Sequence, residues 1–152
     1  MIKSQEEKAK KIITDGLASC VVVKNGAIAR TETGPGVSPL VSIYESEPEI
    51  LRDARVFDKV VGKAAAMIVV LGGAESAYGE VMGASARAYL AEHGCSAAWG
   101  ELVDFIRNRR GDGLCPLELA VSRTEDARTG YLLLKKAMER LKAESAGRRK
   151  TE

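Results

Sequence analysis

Every residue from Ala64 to Leu71 is apolar, and Gly72-Gly73 follows directly. A helix that is hydrophobic all round has no face to give to water. It must be covered on every side, so the chain has to fold in layers around this segment. The stretch Asp58-Lys59-Val60-Val61-Gly62-Lys63 reads as the opening of the same helix, which is predicted to run from Asp58 to about Leu71. Asp58 suits its start, because a carboxylate accepts free backbone N–H groups and matches the positive end of the dipole. The two glycines stop it.

A lysine inside such a helix costs free energy unless its ammonium reaches water or a partner. Lys63 therefore either extends to an edge or faces a functional pocket. On this helix Lys59 and Lys63 lie four apart on one face. Repulsion and burial would both lower a lysine pKa and leave a better base or nucleophile. The pair could instead clamp an anion near the helix N-terminus. The alternative is that both stems lie along the surface with their heads in water.

The remaining elements read in order. Ser4 to Asp15 is an amphipathic helix with Ala9, Ile12 and Ile13 inward, and Gly16 stops it. Leu17 to Lys24 is a β-branched strand, Asn25-Gly26 a tight hairpin turn, and Ala27 to Thr31 the returning strand. Ser38-Pro39 starts a short helix through Tyr44, and Pro48 another helical piece or turn ending near Asp53. Glu75 to Met82 is a strand. Ser85 caps a helix from Ala86 to His93, ended by Gly94. Cys95 to Trp99 is a strand, and Val103 to Ile106 a separate extended piece. Asn108 to Leu114 is a charged loop. Cys115-Pro116 opens a short helix, and Ser122-x-x-Glu125 or Thr124 caps a last helix from Asp126 to Ala143. Strands alternating with helices imply an α/β sandwich. The leading hairpin is antiparallel and the later strands need helical crossovers, so the sheet is expected to be mixed.

With 152 residues, 45% apolar and 29% charged, the chain suits one globular domain. The expected division is an N-terminal helix over residues 1–16, a core domain over 17–143 and a basic disordered tail over 144–152. Net charge is +2, which carries no specific nucleic-acid signal. The charged runs Lys3 to Lys11 and Arg148-Arg149-Lys150 read as solvated faces. No apolar run approaches the roughly 20 residues that span a bilayer. Cys20, Cys95 and Cys115 are odd in number and widely spaced, with no signal peptide ahead, which predicts free thiols in a reducing cytoplasm. No Cys-x-x-Cys or His-x-Glu pattern is present, so neither a standard zinc site nor another cofactor is expected.

Two further segments carry chemistry. At the strand-to-helix corner ending in Gly83-Ala84-Ser85, Gly83 allows close backbone approach and Ser85 could orient a substrate, although capping alone accounts for it. In Cys115-Pro116-Leu117-Glu118 the thiol lies beside a helix start, which lowers thiol pKa, and Glu118 is one turn on as acid or base. Arg107, Arg109 and Arg110 could bind an anion nearby. A buried small thiol is the plain alternative. Cys20 and Cys95 read as core residues, Trp99 as a packing anchor, and His93 as a cation suited to a helix end.

The string Asp58-Lys59-Val60-Val61-Gly62-Lys63-Ala64-Ala65-Ala66, the corner ending at Ser85, Ile106-Arg107-Asn108-Arg109 and Cys115-Pro116-Leu117-Glu118 together resemble an uncharacterised bacterial and archaeal family. That family carries a domain-of-unknown-function label and is placed in the cytidine-deaminase-like superfamily. The resemblance covers roughly Leu17 to Leu134 and implies a three-layer α/β/α fold. Zinc-dependent deaminases of that superfamily carry a His-Ala-Glu-type motif and a later Pro-Cys-x-x-Cys. Against that pattern Lys63-Ala64-Ala65 stands at the first motif and Gly83-Ala84-Ser85-Ala86 at the second. The histidine, the glutamate and both cysteines are then missing, so zinc-hydroxide chemistry is not expected. A formyl-transfer relative works without zinc through a lysine and a histidine, but the matching histidine is absent here.

These readings converge on a metal-independent enzyme acting on a small nucleotide-like or other anionic molecule. Lys63, Cys115, Glu118 and Asp58 would be its catalytic groups, and Lys59, Gly83, Ser85, Asn108 and Arg109 would bind ligand. The alternative is a non-catalytic ligand-binding or oligomeric regulatory module. Small α/β domains often bury an exposed sheet edge by self-association, so a homo-oligomer is expected.

Overall fold

A computed structural model describes residues 2–151, with side chains described for 5–147. Met1, Glu152, Lys3 and the Arg148-Arg149-Lys150 cluster therefore fall outside what is described of ends or side chains. The elements run α1 (Ile2–Thr14), β1 (Cys20–Lys24), β2 (Ala27–Glu32), α2 (Ser38–Ser46), a 3-10 turn (Pro48–Leu51), β3 (Arg55–Val61), α3 (Lys63–Gly72), β4 (Ser76–Gly83), α4 (Ala84–Glu92), β5 (Ser96–Val103), α5 (Pro116–Val121) and α6 (Ala127–Thr151). The sheet has five strands in the order β2-β1-β3-β4-β5. β1 is antiparallel to both β2 and β3, whereas β3, β4 and β5 are parallel to one another, so the sheet is mixed as expected.

The hairpin turn closes as its dipeptide requires. Asn25 and Gly26 both take positive φ, 53° and 76°, the pair that a two-residue turn matched to strand twist needs. On one face of the sheet, Val21, Val23 and Phe57 bury against Ala9 and Ile13 of α1. On the other, Cys20, Val22, Val56, Ala77 and Met82 pack under α2, α3, α4 and α6. The protein is thus an α/β fold in three layers. α3 lies against α2, α4, α5 and α6, which is why it is apolar on every side. Each large aliphatic side chain buried there stabilises by roughly 1.5–3 kcal/mol. α6 is drawn onto α3 at Gly130, where any Cβ would overlap the Met67 thioether. It is tied to α2 by the Tyr131 hydroxyl and Lys135 ammonium, both bonded to Glu45.

Several boundaries differ from the sequence reading. The predicted Asp58–Leu71 helix is two elements: Arg55 to Val61 is the central strand β3, and α3 begins only at Lys63 with Gly62 as N-cap. Asp58 caps nothing, and Lys59 and Lys63 do not share a helix face. The strand signal was hidden because β3 is buried over Val56-Phe57-Asp58 on both faces and so does not alternate. α4 starts at Ala84 after Gly83, without a side-chain cap, so Ser85 is the helix's second residue, exposed, and not its cap. The two extended pieces expected over Cys95–Ile106 form one strand, β5. α6 is capped by Asp126, whose carboxylate accepts the Thr129 N–H at 2.9 Å and hydroxyl at 2.6 Å. The helix continues to Thr151, through residues expected to be a disordered tail.

Candidate functional site

Three parallel strands are interrupted at one level. The ladder passes through Asp58–Gly79 and Gly79–Trp99, and resumes at Val60–Val81 and Val81–Glu101 with unchanged register. Side-chain alternation reverses across this step. Val56 and Val61, five residues apart, both enter the main core, and so do Ala77 and Met82. Glycines make room for it: a Cβ at Gly79 would lie 2.7 Å from the Val81 carbonyl oxygen, and one at Gly100 2.8 Å from that of Glu80. Beyond the step, Val60, Val81 and Leu102 turn out of the core. With Phe105, Ile106 and Arg107 they line a shallow trough of about 650 Å³ at the carboxyl ends of β3, β4 and β5. Phe105 is 64% exposed. Ligands of open α/β sheets characteristically bind at this end of the strands.

Asp58 lies at the step, opposite Cys20 on the neighbouring strand. Its Oδ1 accepts the Lys59 N–H at 2.7 Å, a local bond that competes with the strand ladder. Its Oδ2 is buried without a hydrogen-bond partner. Burial pushes its pKa up to about 8, with the Lys59 and Val60 N–H groups opposing, so at neutral pH it is mostly a neutral acid. Burial, and then the Asp58 charge, raises the Cys20 thiol in turn. Cys95 is buried as well, its pKa raised to about 11 by desolvation and by Glu75. Both thiols are core groups, as expected.

The start of α3 brings together two of the nominated residues, Lys63 and Glu118, in roles of a different kind. Glu118 reaches across from α5, and its carboxylate accepts the Lys63 N–H at 2.7 Å and the Ala64 N–H at 3.0 Å. It supplies from another element the cap that α3 lacks locally. Gly62 permits it, since a Cβ there would fall 2.5 Å from the Glu118 carboxyl carbon. The Lys63 ammonium is taken up by Glu125 at 2.9 Å and by the Ser122 carbonyl at 3.4 Å. Lys63 is 7% exposed, so its stem packs inside while its charge meets a largely exposed carboxylate. Cys115 is the half-buried N-cap of α5, and its N–H donates to the Ile106 carbonyl.

The other nominated residues are dispersed. Lys59 is exposed on β3. Asn108 clamps its own loop, donating to the Asp112 carboxylate and accepting the Asp112 N–H, and Arg109 is exposed within that loop. Gly83 borders the trough, because a Cβ there would meet Ile106 at 3.4 Å. His93 stacks on Tyr89 at 4.1 Å, and Tyr89 donates to the Glu125 carbonyl. Sequence reasoning missed the trough-lining Val60, Val81, Leu102 and Phe105. The available signal was Asp104-Phe105-Ile106-Arg107, an apolar pair between charges directly after a strand. Among the described residues no three His, Cys, Asp or Glu are grouped as a metal site requires. Among the described residues no helix is long and apolar enough to cross a membrane.

A mixed five-stranded sheet with one buried helix wrapped by its neighbours defines the class: a three-layer α/β protein with its opening at the parallel strand ends. The family follows from the sequence. Residues 8–138 match the model of the domain of unknown function DUF1893, and the chain belongs to that family. The structure resembles that of a DUF1893 family protein from Thermotoga maritima, with a TM-score of 0.80 at 24% identity over 88% of this chain and 90% of that one. Lower likenesses are to the apo dCMP deaminase of cyanophage S-TIM5, with a TM-score of 0.46 at 14% identity over 64% and 95% of the two chains. A diaminohydroxyphosphoribosylaminopyrimidine deaminase/5-amino-6-(5-phosphoribosylamino)uracil reductase of Thermotoga maritima gives 0.45 at 15% identity, over 78% and 40%. No curated protein matches the chain.

Proposed function

We propose that this protein is a ligand-binding module for a small nucleotide-like anion, held in the trough at the carboxyl ends of β3, β4 and β5. The observation that carries this reading is the trough itself, whose apolar floor of Val60, Val81 and Leu102 is bounded by Phe105 and by one acid and one cation, Asp104 and Arg107. A planar apolar ring would lie on that floor beside Phe105, and Arg107 would meet an anionic group. The module reading is preferred to the enzymatic one because Lys63 and Glu118 are already engaged, the first by Glu125 and the second by two backbone N–H groups. Catalysis would have to break those contacts.

A thermal-shift screen of nucleosides, nucleotides and phosphorylated sugars tests it. A ligand that binds only the folded state raises the melting temperature. The expected result is a shift for wild type that is lost in Phe105→Asp and retained in Cys115→Ala, without turnover. A shift that survives Phe105→Asp would overturn the trough as the site. Turnover lost in Cys115→Ala would favour the enzymatic reading, in which the half-buried Cys115 acts with Glu118 one turn on.

The homo-oligomer expected from the sequence has its best support in β5. This edge strand leaves Trp99 and Leu102 each 37% exposed and carries no lysine or proline to block pairing.

A further inference from the structure

A second concavity lies away from the trough, between α5 and α6. Its apolar floor is formed by Leu119 of α5 and by Leu133, Ala137 and Leu141 of α6, with Lys136 and Arg140 along one side. The volume is about 520 Å³. Leu119 is 53% and Leu133 37% exposed, a costly exposure for leucines that share one groove. The α6 residues recur every four positions, so they form one stripe along the helix, and the two cations form the adjacent stripe. From Leu133 to Leu141 this stripe is roughly 12 Å long, enough to seat about two turns of another helix.

We propose that this groove binds an acidic amphipathic helix of a partner protein, with apolar anchors on the Leu119–Leu133–Leu141 floor and carboxylates facing Lys136 and Arg140. Helix-in-groove recognition needs an open apolar channel between two helices and a charge on its margin, and both are present. Charge complementarity selects the occupant. A second copy of this chain is poorly suited: α1 and α6 are rich in lysine and arginine, and the carboxylates of the helices without them, Glu45 on α2 and Glu118 on α5, are already bound within the fold, to Tyr131 and Lys135 and to the first N–H groups of α3. The groove is concave, which suits a helix better than a flat lipid surface, and Glu144 lies beyond Leu141 at one end of it, past the two cations. α5, one wall of the groove, carries Glu118 on α3, so an occupied groove would hold that cap in place.

The test uses the full chain and two labelled helical peptides with the same leucine spacing, one flanked by glutamates and one by lysines, read by fluorescence anisotropy. The acidic peptide is expected to bind and the basic one not. Leu119→Asp should weaken the acidic peptide on the order of tenfold, as loss of a central anchor does. Lys136→Glu with Arg140→Glu should reverse the preference between the two peptides, a readout that misfolding cannot mimic. The proposal is overturned if neither peptide binds, if both bind alike, or if the charge reversal does not exchange them. It is also overturned if the same residues instead govern binding to anionic phosphatidylserine vesicles or self-association in sedimentation.

Discussion

Glu118 reaches the first free N–H groups of α3 only because residue 62 is glycine: a Cβ there would stand 2.5 Å from the Glu118 carboxyl carbon. The two residues are far apart in sequence and act as one cap. Glu118→Ala should therefore destabilise the protein by about 0.5–2 kcal/mol, the usual cost of a lost N-cap. Gly62→Ala should displace the same carboxylate, so in urea unfolding the double variant should lose less than the sum of the two single losses. Additive losses would show that residue 62 and the Glu118 carboxylate do not interact, and no loss in Glu118→Ala would show that the cap contributes nothing to stability.

Asp58 should make the protein less stable as pH rises. Its folded pKa of about 8 lies above the ordinary carboxyl value near 4. Between those values the folded state holds a proton that the unfolded state has released, so stability falls with increasing pH across the window. The slope is at most about 1.4 kcal/mol per pH unit. Below about pH 4 the group contributes no pH dependence, and above about pH 8 its penalty is complete. Asp58→Asn, which mimics the neutral acid, should remove this component and match or exceed wild-type stability at the alkaline end. An unchanged slope in unfolding experiments across that range would contradict the assignment.

Lys63 should prove less important than its burial suggests. Its partner Glu125 is 72% exposed in its side chain, and ion pairs open to water contribute about 0–1 kcal/mol. Lys63→Met keeps the packed stem and should cost no more than that, with ligand-induced thermal shifts preserved. Loss of those shifts in a stably folded Lys63→Met would return the lysine to the ligand site.

The edge strand β5 should mediate self-association. Trp99→Lys places a charge on the exposed edge outside the trough and should shift sedimentation toward monomer with ligand-induced thermal shifts preserved. Identical sedimentation of the two proteins would remove β5 as the interface.

Some elements were legible because their signal is local. Asn25-Gly26 demands two positive φ angles, and the hairpin follows wherever the flanking residues favour strands. Cys115-Pro116 marks a helix start by its own chemistry, and α5 begins there. β3 was not legible. Its Phe57 packs under α1 while Val56 and Asp58 face the opposite side of the sheet, so the strand shows no alternation and merges with the helix signal that follows. The proposed site was illegible for a related reason. Val60, Val81 and Leu102 look like core residues, and it is the coordinated step in three neighbouring strands that turns them outward.

By itself the sequence determined that a helix apolar on all sides must be enclosed, because that surface has no face to give to water, and the alternation of strands with helices after an antiparallel hairpin determined a layered α/β domain with a mixed sheet. The tertiary structure alone decided what the charged residues do. Glu118 and Glu125 lie more than fifty residues from the helix start they serve, Glu118 at its backbone and Glu125 at the Lys63 ammonium, as the separations of 55 and 62 positions show. Asp58 became a buried acid because its strand, not a helix, carries it into the core. Propensity and spacing report contacts within a few residues. Burial and long-range partners decide the protonation and role of a charge, and they exist only once the chain has folded.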